Sequence, residues 1–179
     1  MKSLIHLIAT AGAAIAVAAP VSAMTSAEYK AARESADAQY KSAAERCKSL
    51  AGNEKDVCIK DAKAARDRAK ADARAEYKNT PKARAQATEE TAEARYRAAK
   101  ERCDTLSGNA KDVCIERARA DKERAEATAT ERRSVAEARQ KSADEQRDAE
   151  YRVAREKCDS FSGEAKDRCV AEARARFGK

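Results

Sequence analysis

The sequence has few of the side chains that fill a large globular core. Only 4% of its 179 residues are aromatic, and tryptophan is absent. Much of the 42% apolar content is alanine, which buries little area, and burial is worth roughly 25 cal/mol per Å² of apolar surface. Alanine contacts therefore hold helices together more weakly than leucine contacts, and the composition does not predict a thick core.

Histidine is also missing beyond an N-terminal segment that we expect to be removed. Residues 1–23 contain Lys2, an apolar run and a small-residue cleavage site ending at Ala23, which is typical of a secretory signal peptide. The mature chain should then begin near Met24 and be periplasmic or secreted. Because His6 is the only histidine, that chain has no imidazole for a general base, a catalytic triad or a metal site.

Several motifs that carry chemistry are absent as well. The sequence has no CxxCH haem-attachment motif, glycine-rich phosphate loop or HExxH motif. Beyond residue 23 no run approaches the roughly 20 apolar residues that span a bilayer. We therefore predict a mature chain without enzymatic activity, cofactor or transmembrane segment.

All six cysteines lie in three copies of one twelve-residue sequence motif, the cysteine phrase, at 47–58, 103–114 and 158–169. In an exported chain the expected state of such cysteines is the disulfide. Their spacing differs from the CxxC spacing of redox and zinc sites. A periplasmic metal-binding or thiol-redox protein that uses the paired cysteines is the alternative.

Small and apolar residues recur at steps of three and four on both sides of each phrase, which predicts amphipathic helices. Charged residues fill the other positions, as on solvated helix faces. The predicted fold is all-α, made of elongated, coiled-coil-like antiparallel hairpins with three disulfide-clamped tips.

Each phrase is predicted to end one helix and start the next. Gly52, Gly108 and Gly163 suit a left-handed residue just past a helix C-terminus. Asn53 and Asn109 then suit the N-cap of the following helix.

The two cysteines of each phrase stand at equal distances from this turn and should lie at the same height in the hairpin. The predicted disulfides are Cys47 to Cys58, Cys103 to Cys114 and Cys158 to Cys169.

The repeats divide the mature chain into hairpin repeats at 24–80 and 81–135, and a third repeat with a short final helix at 136–179. Asn-Thr-Pro at 79–81 predicts a chain reversal. The corresponding part of the second repeat has no proline or glycine. It could turn, but we favour one helix over residues 110–160, about 75 Å long, with a weak point at Thr128 to Thr130. The final helix should cover about 165–177.

Tyr40, Tyr96 and Tyr151 each precede a cysteine by seven residues. We interpret them as the bulky members of alanine seams, meaning contacts between neighbouring helices that are otherwise formed by alanine side chains; a shared binding face is the alternative.

Removal of Lys2 lowers the formal charge from +7 to +6, and the basic residues are not clustered as nucleic-acid binding requires. Envelope proteins and anionic envelope polymers are the candidate partners, and the seams could also pair between copies in a homo-oligomer.

The repeated C-x2-[LF]-x-G-[NE]-x-K-D-x-C phrase, the preceding YxxAxxxC and the closing ARARFGK resemble a family of exported Ala/Lys-rich helical proteins of Gram-negative bacteria. These proteins are often labelled TolA-like or cell-envelope biogenesis proteins. The resemblance implies a structural or binding protein of the cell envelope and supplies no functional residues.

Overall fold

A computed structural model describes residues 24–179 of the chain. The predicted signal peptide lies outside the described residues. The described part folds into five helices: α1 Ser26–Cys47, α2 Gly52–Lys78, α3 Pro81–Cys103, α4 Gly108–Cys158 and α5 Gly163–Phe177. The prediction of an all-α fold built from helical hairpins is therefore confirmed.

Local capping explains where α1 and α3 begin. The Thr25 hydroxyl accepts a hydrogen bond from the Glu28 N–H at 3.2 Å, and the Glu28 carboxylate accepts one from the Thr25 N–H at 2.7 Å. This reciprocal pair is a capping box. The Thr80 hydroxyl caps α3 by accepting from the Ala83 N–H at 3.0 Å, and the alanine side chain returns no bond.

The reversal between α2 and α3 follows from the Asn-Thr-Pro sequence. Asn79 closes α2 in the left-handed conformation, with φ of 46°, which asparagine tolerates better than most residues. Pro81 is the first residue of α3, where its missing N–H has no helical partner to lose. The chain reverses at 79–81 as the sequence predicts.

Each helix packs against its neighbours in the sequence. The pairs are α1 with α2, α2 with α3, α3 with α4 and α4 with α5, and the last contact is the least extensive. The buried apolar residues are alanines together with Cys47, Cys103 and Cys158. The described part of the chain is thus an array of helices joined by thin alanine seams.

The long helix that the sequence favours is present as α4, an unbroken 51-residue helix. The Thr128 hydroxyl bonds to the Arg124 carbonyl at 2.9 Å, a local contact that leaves the helix intact at the predicted weak point. The predicted division between residues 135 and 136 falls inside α4, so the second and third hairpins share one helix. Over 131–150 almost every side chain of this helix is exposed.

Candidate functional site: three disulfide-clamped hairpin tips

Three disulfides close the hairpin tips in the pairing that the sequence predicts. The Cα atoms of Cys47 and Cys58 lie 5.7 Å apart, those of Cys103 and Cys114 lie 5.7 Å apart, and those of Cys158 and Cys169 lie 5.6 Å apart. None of the six cysteines is free. Each disulfide closes a short loop, for which the chain-entropy estimate is roughly 3 kcal/mol of stabilisation.

The path of the chain through each tip differs from the prediction in one respect. Gly52, Gly108 and Gly163 have φ values of 53°, 55° and 56° and are left-handed. The preceding helix, however, ends at the cysteine five residues earlier, and the glycine is the first residue of the following helix. The prediction that glycine directly follows a helix C-terminus is therefore wrong, because a left-handed glycine can equally redirect the chain into a new helix.

The predicted N-cap role of Asn53 and Asn109 is wrong for the same reason. The N-cap residues of α2 and α4 are Ala51 and Ser107, both extended, and neither makes a side-chain capping bond. The side-chain oxygen of Asn53 is buried and accepts no hydrogen bond. Glycine at the start of each helix moves the cap position two residues upstream of the asparagine.

A pair of hydrogen bonds recurs in the first half of each tip. The second residue after the first cysteine carries a hydroxyl that donates to the carbonyl three residues earlier: Ser49 to Arg46, Thr105 to Arg102 and Ser160 to Lys157, at 2.8–2.9 Å. The next residue donates its backbone N–H to the cysteine carbonyl, at 3.0–3.1 Å. These bonds satisfy carbonyls that the helix end leaves free, and they fix the loop in the same shape three times.

This shape places one large apolar side chain in solvent at every tip. Leu50, Leu106 and Phe161 are 37%, 43% and 52% exposed. Each stands three residues after the first cysteine of its phrase. The sequence contained this signal in the [LF] position of the phrase, but the pattern alone does not say whether the side chain points inwards or outwards. The tips are the candidate functional site because they repeat an exposed apolar residue on a fixed loop.

Ion pairs cross the second and third tips. The Lys111 and Lys166 ammonium groups each lie 2.8 Å from a carboxylate oxygen, of Asp104 and Asp159 respectively. The hydrogen bond from each lysine holds the pKa of its aspartate below the usual value, and the pKa of Lys111 is raised in return. All four groups are at the surface, where such pairs contribute little to stability.

The first tip lacks this pair because Lys48 replaces the aspartate opposite Lys55. Lys48 instead pairs along its own helix with Glu45, 2.8 Å away. The three tips therefore share their backbone shape and apolar residue but differ in charge.

The three repeated tyrosines each pack within their own hairpin. Tyr40 lies under the Arg66 guanidinium, 4.7 Å from its ring centre, and Tyr96 lies under the Lys122 ammonium at 5.6 Å. Tyr151 contacts Phe177, with ring centres 6.2 Å apart. No two of the three tyrosines stack on each other. In each hairpin the tyrosine contacts the residue that stands eight positions after the second cysteine.

One aromatic contact was not predicted. Tyr29 and Tyr77 stack with ring centres 4.8 Å apart and planes 8° from parallel, at the end of the first hairpin remote from its tip. Both residues occupy the apolar stripes of their helices, but the sequence does not specify the rotation that brings two rings face to face. Offset stacking of this kind contributes about 0.5–1.5 kcal/mol of stabilisation beyond that of the apolar area it buries.

The described helices offer neither a metal cluster nor a membrane span. Within residues 24–179 no group of three or more histidine, cysteine, aspartate or glutamate side chains could hold a metal ion. No helix in the same range is long and apolar enough to cross a membrane.

No family model matches the sequence, and no curated protein or solved structure shows significant similarity to it.

Proposed function

We propose that the chain is an exported, non-enzymatic scaffold or binding protein of the cell envelope whose clamped tips form its contact points. The observation that carries the proposal is the exposed apolar side chain at each tip, held on a loop of constant shape by a disulfide. Preorganised apolar residues lower the entropy cost of binding. The proposed partners are envelope proteins with exposed apolar patches, on which such side chains would bury area.

The disulfides also support the proposed compartment. Three disulfides that use every cysteine are typical of proteins in oxidising compartments. The secretory features of residues 1–23 agree with the same compartment. The TolA-like resemblance adds the envelope to this proposal on the basis of sequence alone.

A structural role for the cysteines is favoured over metal or redox chemistry by the burial of one cysteine in every pair. Cys47, Cys103 and Cys158 are 0% exposed, while their partners Cys58, Cys114 and Cys169 are partly exposed. A redox-active or metal-binding thiol needs access to its reactant. Disulfides at the hairpin tips instead restrict the unfolded chain, which stabilises helix contacts made by alanines that bury little area.

The first experiment measures compartment and thiol state together. Cells expressing the chain are fractionated, and the periplasmic protein is alkylated before and after reduction and then weighed by mass spectrometry. We expect a mass consistent with cleavage near Met24, no alkylation before reduction and six alkylated cysteines afterwards. Several titratable thiols or a bound metal in the protein as isolated would instead support the redox or metal alternative, and recovery from the cytoplasm would contradict export.

The second experiment tests the tips by crosslinking in intact periplasm. The triple variant Leu50→Ser, Leu106→Ser, Phe161→Ser should lose the crosslinked partners of the parent chain, because it removes the apolar contacts. Val135→Ser is the matched control, since Val135 is as exposed as Leu106, at 43%, but lies far from any tip. Equal crosslinking by the triple variant and the parent would reject the tips as contact points.

A further inference from the structure

A groove runs along α3 between α2 and α4. It consists of two hollows that share Asp72 and Thr88, and its walls are residues 68–76 of α2 and 118–136 of α4. Along α3 it extends from Pro81 to Arg102, about 32 Å at a rise of 1.5 Å per residue. In the described part of the chain, α2 and α4 each contact α3 but not each other. This α3 groove is therefore open along its length.

The α3 groove is positively charged. Among the described residues, seven basic and three acidic side chains line it. The imbalance arises in α3, whose groove side carries Arg84, Arg95 and Arg102 at helical spacing and, over residues 81–103, no carboxylate. Acidic residues of the same helix, Glu89 and Glu93, line a different hollow on its other side. Folding thus gathers basic side chains from three helices on one side of the array.

Three arginines of the α3 groove are not used within the described chain. The other four basic side chains of the groove each pair with a carboxylate. Arg84, Arg95 and Arg132 are exposed and form no ion pair within residues 24–179. The Arg84 guanidinium donates one hydrogen bond, to the Asn79 amide oxygen at 2.9 Å. A guanidinium group binds a carboxylate through two parallel hydrogen bonds, so these three side chains can bind an anion from outside.

The lining of the α3 groove does not suit a partner helix. A helix that docks in a groove inserts a row of apolar side chains into apolar pockets. Along the middle of this groove α3 presents arginine and threonine, and Tyr96 is the one aromatic ring among the described lining residues. The Lys122 ammonium already lies 5.6 Å from the centre of that ring. A hydrophilic anionic chain fits better, because the exposed Thr88 hydroxyl can also accept hydrogen bonds from it.

We propose that the α3 groove binds an acidic polysaccharide of the cell envelope, whose carboxylates pair with Arg84, Arg95 and Arg132. Arg84 and Arg95 stand about 16 Å apart along the helix, so a small anion reaches only one of them, whereas a linear polymer meets several. Simultaneous contacts raise the affinity of the polymer above that of one sugar unit. The inference rests on the proposed export to the envelope and is independent of the hairpin tips.

Fluorescence anisotropy of a labelled alginate oligosaccharide, a linear chain of sugar carboxylates, tests the proposal. The oligosaccharide is titrated with the oxidised chain lacking residues 1–23 at low ionic strength, where charge pairs are screened least. The parent chain should bind it. The triple variant Arg84→Gln, Arg95→Gln, Arg132→Gln should bind at least about tenfold more weakly, because it removes three charge-assisted contacts. Unlabelled dextran, which is neutral, should not compete.

The matched control is the triple variant Arg117→Gln, Arg139→Gln, Arg152→Gln. It removes the same charge from exposed positions of α4 that do not line the groove, and it should bind alginate like the parent. Circular dichroism of both triple variants establishes that they are helical. A parent chain that does not bind alginate, or equal weakening by the two triple variants, would overturn the proposal.

Two further titrations separate the groove from other modes of binding. The tip variant Leu50→Ser, Leu106→Ser, Phe161→Ser should bind alginate like the parent, so that failure of the tips as contact points and failure of the groove are distinguishable. A labelled single-stranded oligonucleotide should bind more weakly than alginate, because a single tyrosine ring offers little surface for base stacking. Loss of alginate binding by the tip variant, or oligonucleotide binding as tight as that of alginate, would also overturn the proposal.

Discussion

At the residue scale, each tip depends on a single glycine that bends the chain into the following helix. Gly108 has a φ of 55°, and no atom lies within 4 Å of the position that a Cβ would occupy. A side chain there would cost only backbone energy, about 1–2 kcal/mol for a left-handed L-residue.

We expect Gly108→Ala to lower the free energy of unfolding by about 1 kcal/mol, because the left-handed strain exceeds the entropy that alanine removes from the unfolded chain. Thermal unfolding followed by circular dichroism measures the loss. Gly108→Asn is the control and should lose less, since asparagine tolerates this conformation. Equal stability of the alanine variant and the parent would show that the tip can relax to a negative φ.

At the scale of elements, the sequence predicts what is specified locally. The hairpins, the three disulfides and the reversal at 79–81 follow from spacing and capping within a dozen residues. The prediction of N-caps at Asn53 and Asn109 is wrong because the sequence does not distinguish a left-handed glycine that follows one helix from a left-handed glycine that begins the next. The Tyr29–Tyr77 stack depends on helix rotation, which short alanine side chains specify weakly. The outward direction of Leu106 depends on the hydrogen-bonded shape of the loop after Cys103, which the residue pattern does not specify.

The third hairpin should depend on its disulfide more than the others. Helix α5 contacts only α4, and its one buried residue is Ala173. The double variant Cys158→Ser, Cys169→Ser should therefore lose amide-exchange protection throughout α5, because an isolated helix of 15 residues is marginal in water. Hydrogen exchange read by mass spectrometry reports this loss helix by helix.

The matched comparison is the double variant Cys103→Ser, Cys114→Ser. Helix α3 also packs along α2, so it should keep its protection even though the chain as a whole is less stable. Full protection of α5 without its disulfide would show that the α4–α5 seam is sufficient alone.

At the scale of the whole molecule, surface ion pairs between helices and across tips link stability to pH. Lys70 of α2 holds the pKa of Asp37 in α1 below its usual value by donating a hydrogen bond at 2.6 Å. Lys179 acts in the same way on Asp148. A group whose pKa is lowered by folding stabilises the folded chain at pH values above its pKa in the unfolded state. This stability is lost as the pH falls through its pKa in the folded state.

We therefore expect the unfolding temperature of the oxidised chain to be nearly constant from pH 7 to 5 and to fall as pH drops below the usual aspartate value of 3.8. At the opposite end, Lys111 and Lys122 have raised pKa values because they donate hydrogen bonds to Asp104 and Glu93. Their contribution to stability is present below pH 10.5 and is lost as the pH rises beyond it.

Sodium chloride at about 1 M, which shortens the screening length to about 3 Å, should flatten both limbs of the pH profile. The variant Asp37→Asn should retain the alkaline limb and weaken the acid limb, since it removes a titrating carboxylate without touching either lysine. A parent chain that gains stability between pH 4 and 3, or a variant with an unchanged acid limb, would show that these pairs do not control the response.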